Sequence, residues 1–470
     1  MIIPLREAVA DTCGGKAGAL GALLRAGLPV PDGFVVPFAV YLAAVRDLGL
    51  GRRFLGELGE DLESGRFAGE SGDLDAVRAA ILARPVHATV INALGRALDE
   101  LGDPPVAVRS SAANEDTGQA SAAGQHESFL AMRGADQVAA AVRACWASLF
   151  SLRAIDYRGA SGYDGRDRRD GRPVGDLAMA VIVQRHLDAE VSGVMFTPAD
   201  PDGTTEIEAS WGLGPSVVEG KVTPDAYRVT KDRPVIRTIA DKRTRLDRSG
   251  TRLVVRDVPT PARDQPAIDD ATAMRLAELG EEIAAGRGGP QDIEWAIAGG
   301  RIWVLQARPV TAAPPPPALP HGAPAAAPPQ PASPSGAPAA VLPQPVSPNG
   351  APAAALPASA SPAATLAGTP GSRGIVTGPA RVVRGPGDFA RVRPGDILVC
   401  PFTDPAWTPL LRIAAGVVTE TGGVLSHAAI VAREHGIPAV LGLPNATSRL
   451  HDDTVITIDG TTGAVTAANA

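Results

Sequence analysis

Hydrophobic positions along this chain fall either at helical spacing or in short unbroken runs, and the two patterns alternate over most of its length. Residues 17–26 have helical spacing, entered through the Gly14–Gly15 turn and stopped before Pro29. Residues 143–158 also repeat at helical spacing, with Trp146, Leu149, Phe150 and Ile155 on one face. Residues 106–109 and 178–184 are short apolar runs that predict buried strands. Residues 292–296 and 302–306 predict two more, joined by a turn at Ala298, Gly299 and Gly300. Beyond residue 370 the alternation resumes on a smaller scale. Strands are expected at 395–400, 416–419, 439–441 and 455–459, with a helix at 426–434.

Between these blocks the pattern vanishes. From residue 312 to 369 the chain is almost wholly Ala, Pro, Ser and Gly, and a 14-residue unit recurs from His321, Ser335 and Asn349. Such a composition cannot bury enough apolar surface to offset its ordering entropy, so a disordered linker rich in polyproline II is expected. The expected organisation is α/β throughout: a large domain over 1–311, a linker over 312–369 and a small domain over 370–470.

Composition narrows the function classes. Of 470 residues, 45% are apolar and 20% charged, as in ordinary globular domains. No apolar run approaches the roughly 20 residues that span a bilayer. The opening MIIPLREAVADTCGG lacks the basic and apolar regions of a secretory signal, so a cytoplasmic protein is expected. Net charge is −7 and the most basic stretch, 166–172, contains Asp167 and Asp170, which argues against a nucleic-acid partner. Cys13, Cys145 and Cys400 are too few and too scattered for a disulfide framework or a zinc cluster. Lysine occurs only at 16, 221, 231 and 242, which draws attention to each of them.

Several residue groupings carry chemistry. In the small block a strand leads through Gly422 and Gly423 into a helix opening at Ser426, a candidate N-cap, and His427. In the first turn, free N–H groups and the helix dipole disfavour an imidazolium and favour a phosphoryl group on the ring. A neutral imidazole there is a candidate nucleophile. Lys16 stands beside two glycines, which let phosphates approach closely. The segment is not a Walker A loop, because Ala10 and Ala17 occupy positions that motif reserves for Gly and Ser or Thr. Nor is GLGPSV a GxGxxG turn, since Val217 ends it. Arg109, at the end of a buried strand, can clamp phosphate oxygens with its planar fork. Glu294 and Gln306 lie on two strands joined by a tight turn, so their oxygens can converge on one hard cation such as Mg2+.

These segments resemble a known family. TGGVLSHAAIVAREHGIPAVLG resembles the phosphohistidine domain of phosphoenolpyruvate synthases, pyruvate phosphate dikinases and rifampicin phosphotransferases. GGKAGALGALLRAGLPVPDGFVV, VRSSAANEDTGQASAAGQHESFL, CWASLFSLRAIDYR, IEASWGLGPSVVEGKVTPDAYRV and PQDIEWAIAGGRIWVLQARPV resemble, in order, the nucleotide-binding domain of the same enzymes. The resemblance implies an ATP-grasp domain followed by a small swivelling β/β/α domain. It implies that His427 carries a phosphoryl group derived from ATP, with AMP and phosphate released. It further implies that Lys16, Arg109 and Arg308 meet the triphosphate, that Glu294 and Gln306 bind Mg2+, and that Gln184 contacts adenine on the strand 178–184. Asp225, Asp292, Arg433 and Glu434 are read as structural.

The resemblance stops at the acceptor. Relatives carry a third domain for it, and here only the proline-rich stretch and a short C-terminal remainder occupy the corresponding places. Pyruvate is therefore not the acceptor expected of this chain. Three readings stay open: an enzyme phosphorylating a small molecule, peptide or antibiotic at the two domains; one subunit of a split enzyme whose acceptor domain is a separate protein; or a phosphocarrier or regulatory protein.

Overall fold

In a computed structural model, the described residues are 2–47, 71–113, 127–151, 178–200, 202–231, 233–311 and 365–467. They form a mixed α/β structure of three principal sheets. The first contains β1 (Ile3–Pro4), β2 (Gly33–Val36), β3 (Val106–Ala112), β4 (Ser128–Met132) and β5 (Met179–Arg185), in the order β1-β2-β5-β3-β4 and antiparallel throughout. The second contains β6 (Val191–Phe196), β7 (Thr204–Trp211), β8 (Asp225–Thr230) and β9 (Ile236–Thr238). After a separate hairpin of β10 (Thr244–Ser249) and β11 (Arg252–Asp257), it is completed by β12 (Gln291–Ala298) and β13 (Arg301–Pro309), in the order β13-β12-β6-β7-β8-β9.

Two cores flank the first sheet. On one face, Val106, Val108, Val181 and Val183 pack with Trp146 and Leu149 under the helix Gly134–Ser148. On the other, Ala180 and Ile182 share a core with Leu20 of the helix Ala10–Arg25 and with Met195 and Trp295 of the second sheet. Polar residues between the two sheets are thus set in an otherwise apolar layer.

The small block is an eight-stranded sheet in the order β14-β21-β20-β16-β17-β18-β19-β15. Its strands are β14 (Thr365–Ala367), β15 (Thr369–Ser372), β16 (Ile375–Val382), β17 (Ile397–Cys400), β18 (Gly416–Thr419), β19 (Ala439–Leu441), β20 (Val455–Asp459) and β21 (Ala464–Ala467). β16 to β19 run parallel at its centre. The helix His427–Glu434 follows β18 and buries Ala428, Ala429, Val431 and Ala432 against Leu398, Val417 and Leu441.

Three expectations shift. The first helix begins at Ala10, and Gly14 (φ 82°, ψ 163°) breaks it where the sequence placed an entry turn. The helix expected at 143–158 runs instead over Gly134–Ser148, and its expected end lies outside the described residues. Its periodicity continues upstream through Val138 and Val142. Ser148 Oγ donates to the Cys145 carbonyl and Ser151 Oγ to that of Ser148, so serine hydroxyls take up carbonyls at the end of the helix. Finally, β14 and the first residue of β15 lie inside the range assigned to a linker. Thr365 and Leu366 pair with Thr466 and Val465, which composition alone could not register. The remainder of that range, 312–364, is outside the described residues.

Candidate functional site

Arg109 lies on β3 and joins the two sheets of the large block. Its guanidinium donates to the Leu305 carbonyl at 2.7 Å, to Gln306 Oε1 at 2.7 Å and to Glu294 Oε2 at 3.1 Å. Strand register explains the convergence. Glu294 opposes Gln306 across the β12–β13 hairpin, while the next pair is Trp295 with Val304. Leu305 is therefore the extra residue of a bulge, and the bulge frees its carbonyl for Arg109. The two oxygens expected to hold a cation are gathered by the arginine fork, whose side chain is only 13% exposed.

Lys16 is buried next to β3. Ser111 Oγ accepts from the backbone N–H of Ala17 at 3.0 Å. A Cβ at Gly14 would lie 2.4 Å from the Ser111 carbonyl oxygen, so the chain can pass β3 this closely only as glycine. Arg109 and Ser111 share a face of β3, so this contact anchors the Lys16 segment one step along the strand from Arg109. Gln184, on the neighbouring β5, lies on that face too, because Arg109 opposes Ile182. Its amide donates to the Pro31 carbonyl at 2.9 Å. Arg308 sits two residues beyond Gln306 and is paired with Asp292 at 2.8 Å. Burial raises the Asp292 carboxyl above its ordinary range, and Arg308 opposes the shift. Asp225 belongs to the frame: fully buried, it pairs with Lys242 at 2.6 Å and accepts the Ala240 and Ala267 N–H groups.

The structure thus brings Arg109, Glu294 and Gln306 into direct contact, with Lys16 on the helix Ala10–Arg25 and Gln184 on β5 beside β3. His427 stands apart on the small block. Thr403 Oγ1 is 2.9 Å from its Nδ1 and Thr408 Oγ1 is 3.4 Å from its Nε2. Ser426 occupies the N-cap position, but its hydroxyl turns back to the Gly423 carbonyl at 2.8 Å instead of capping the helix. Both Thr contacts were missed from sequence, although Thr403-Asp404-Pro405 has the form of a turn entering a short helix.

The two blocks meet on the second sheet. Leu425 and Ile430 pack with Val194, Phe196, Val217 and Val222, and Thr421 Oγ1 donates to the Gly220 carbonyl at 2.6 Å. Val194 opposes Glu294 on one side and Glu208 on the other, so the His427 helix covers the face that carries Glu294. Glu208 is fully buried in this contact. Burial pushes its carboxyl up to about 7, against the N–H groups of Leu425 and Val424 and the charge of Arg433. Arg433, expected to be structural, donates to the Val424 and Gly371 carbonyls, and burial lowers its pKa to about 10.

Residues 10–318 match the pyruvate phosphate dikinase AMP/ATP-binding domain. The chain belongs to that family. Residues 392–463 match the mobile domain of PEP-utilising enzymes. The probable phosphoenolpyruvate synthase of Methanothermobacter thermautotrophicus is 35% identical over 96% of this chain and 61% of its own length. The phosphoenolpyruvate synthase of Escherichia coli is 32% identical over 97% of this chain and 56% of its own length. The chain therefore spans little more than half the length of such relatives. Among solved structures, Enzyme I (nEIt) aligns with 32% identity over 16% of this chain and 31% of its own, at a TM-score of 0.15. Thermococcus kodakaraensis aconitase X aligns with 18% identity over 23% of this chain and 99% of its own, at 0.19. At those scores neither bears on the fold. Among the described residues no helix is long and apolar enough to cross a membrane.

Proposed function

We propose that this chain is the phosphoryl-loading part of a dikinase-type phosphotransferase, in which an ATP-grasp domain transfers a phosphoryl group from ATP to His427. The observation that carries the reading is that Arg109 of the first sheet reaches Glu294 and Gln306 on the face of the second sheet that the His427 helix covers. Arg109, Lys16 and Arg308 supply the cationic groups for a triphosphate, and Gln184 a polar edge for adenine. Glu294 and Gln306 offer a Mg2+ ion two protein oxygens. Among the described residues no cluster of three His, Cys, Asp or Glu is found, which suits an ion that completes its shell with water and phosphate. When bound, magnesium neutralises phosphate oxygens in the transition state. Thr403 holds Nδ1 more closely than Thr408 holds Nε2, so Nε2 is the nitrogen proposed to attack.

The proposed step forms a bond from the imidazole nitrogen to the β-phosphorus of ATP and releases AMP. Water then removes the terminal phosphate and leaves one phosphoryl group on His427. The Pro/Ala-rich segment is proposed as a tether for travel between the nucleotide and an acceptor, a small molecule, peptide or antibiotic. A second reading sets the acceptor domain on a separate polypeptide.

Labelled ATP tests the first reading. Turnover is expected to give AMP and phosphate, with acid-labile label on the protein, and His427→Ala is expected to abolish the label while nucleotide still binds. ADP as the only nucleotide product overturns the mechanism.

A further inference from the structure

The contact between the blocks is built around one carboxylate. Glu208 is 2% exposed, and it lies against the small block's Gly422–Leu425 loop, not against a cation of its own block. A Cβ at Gly423 would stand 2.1 Å from Glu208 Oε1 and 2.6 Å from Oε2, so any larger residue there would push the carboxyl group out of its place. The N–H groups of Val424 and Leu425 face the same carboxylate, and Arg433 approaches it from the helix that follows. On the other side of the loop Gly220 and Gly422 meet backbone to backbone, and Thr421 bonds the Gly220 carbonyl. Burying a carboxylate is costly unless polar groups compensate it, and here the compensating groups all come from the partner block. With the blocks apart, the loop's amides lose that acceptor and the carboxyl group loses the nearby charge of Arg433. A carboxylate so placed answers to docking, not to the stability of its own sheet.

We propose that Glu208 is a positioning residue for the loading step: its buried carboxyl group seats the Gly423–Leu425 loop and so sets His427 toward the nucleotide site. The proposal rests on His427 being the phosphoryl carrier and adds the element that aims it.

The test uses the full chain and reads docking separately from chemistry. Thr311 Oγ1 and Glu434 Oε1 are 3.0 Å apart across the contact, so cysteines introduced at these two positions report docking by their rate of disulfide formation. Glu208→Ala is expected to slow cross-linking and His427 labelling by tenfold or more, while affinity for ATP changes less than twofold. Glu208→Gln keeps an acceptor oxygen and is expected to retain most of both rates. Gly423→Ala, made on the opposite surface, is expected to repeat the Glu208→Ala defect. Adding Glu208→Ala to it is expected to recover part of the cross-linking, because the methyl group then has room. Size rescue of this kind does not follow from damage to either fold. Wild-type cross-linking in both single variants overturns the proposal, as does a loss of ATP affinity as large as the loss of labelling. If the unmodified chain takes no label from ATP yet cross-linking still depends on Glu208, the carrier assignment fails and the docking role stands.

Discussion

At the scale of single residues, the arrangement separates groups that frame the molecule from groups gathered at the candidate site. Asp225 and Lys242 are both fully buried and paired. Removing one leaves an uncompensated buried charge, so Lys242→Met is expected to cost about 3–5 kcal/mol of stability, read as a lower denaturant midpoint for the large block. Glu294→Ala is expected to spare stability, since its side chain is 25% exposed, and to weaken magnesium-dependent labelling of His427 by at least tenfold. A matched loss without added magnesium would remove Glu294 from the metal site. Sequence placed Glu294 and Gln306 on two strands joined by a tight turn, but the turn alone would set Glu294 opposite Leu305; the bulge, which no sequence pattern marks, brings Gln306 opposite it. Glu208 sits in IEASWGLGPSVVEG, read as a signature, and still escaped notice. Its partners lie far along the chain, and nothing local marks a carboxylate that another domain will cover.

At the scale of elements, the decisive features are places where regular structure is interrupted. The Leu305 bulge turns a carbonyl toward Arg109, and the break at Gly14 carries Lys16 past β3. Gly14→Ala would force a side chain into a backbone region open essentially to glycine and against the Ser111 carbonyl. A cost of about 1–3 kcal/mol is expected, together with weaker ATP binding, measured by denaturation and by nucleotide titration. The apolar runs of β5 and β18 were readable because buried strands leave unbroken hydrophobic stretches, whereas β12, which carries Asp292 and Glu294, was placed by the turn that follows it. The helix over 134–148 was displaced in the reading because small residues, Ala139 to Ala141, mute the periodicity of its first half. β14 was missed because Thr-Leu-Ala has no pattern of its own; its pairing with β21 makes it a strand.

At the scale of the whole molecule, docking carries a proton dependence. In the docked state burial raises the Glu208 carboxyl from 4.5 to about 7, with Arg433 and Glu206 the charges that face it. A raised pKa means that the proton-linked contribution to docking is full below about 4.5 and is lost as pH rises through about 7. Dipolar broadening between spin labels at 311 and 434 is therefore expected to weaken across that interval and level off above it, and Glu208→Gln is expected to flatten the curve. An unchanged profile in that variant would assign the dependence to another group. The small block holds one more consequence. β14 and β21 are paired neighbours, so its first and last strands lie side by side at one edge of the sheet. A short bridge could join them covalently and the chain be reopened at Gly385–Gly387, where an added Cβ meets nothing within 4 Å. The order of segments in this small block is thus a matter of gene layout, and a circularly permuted version should fold with His427 in the same place, its attachment to the ATP-binding block moved to another side of the sheet.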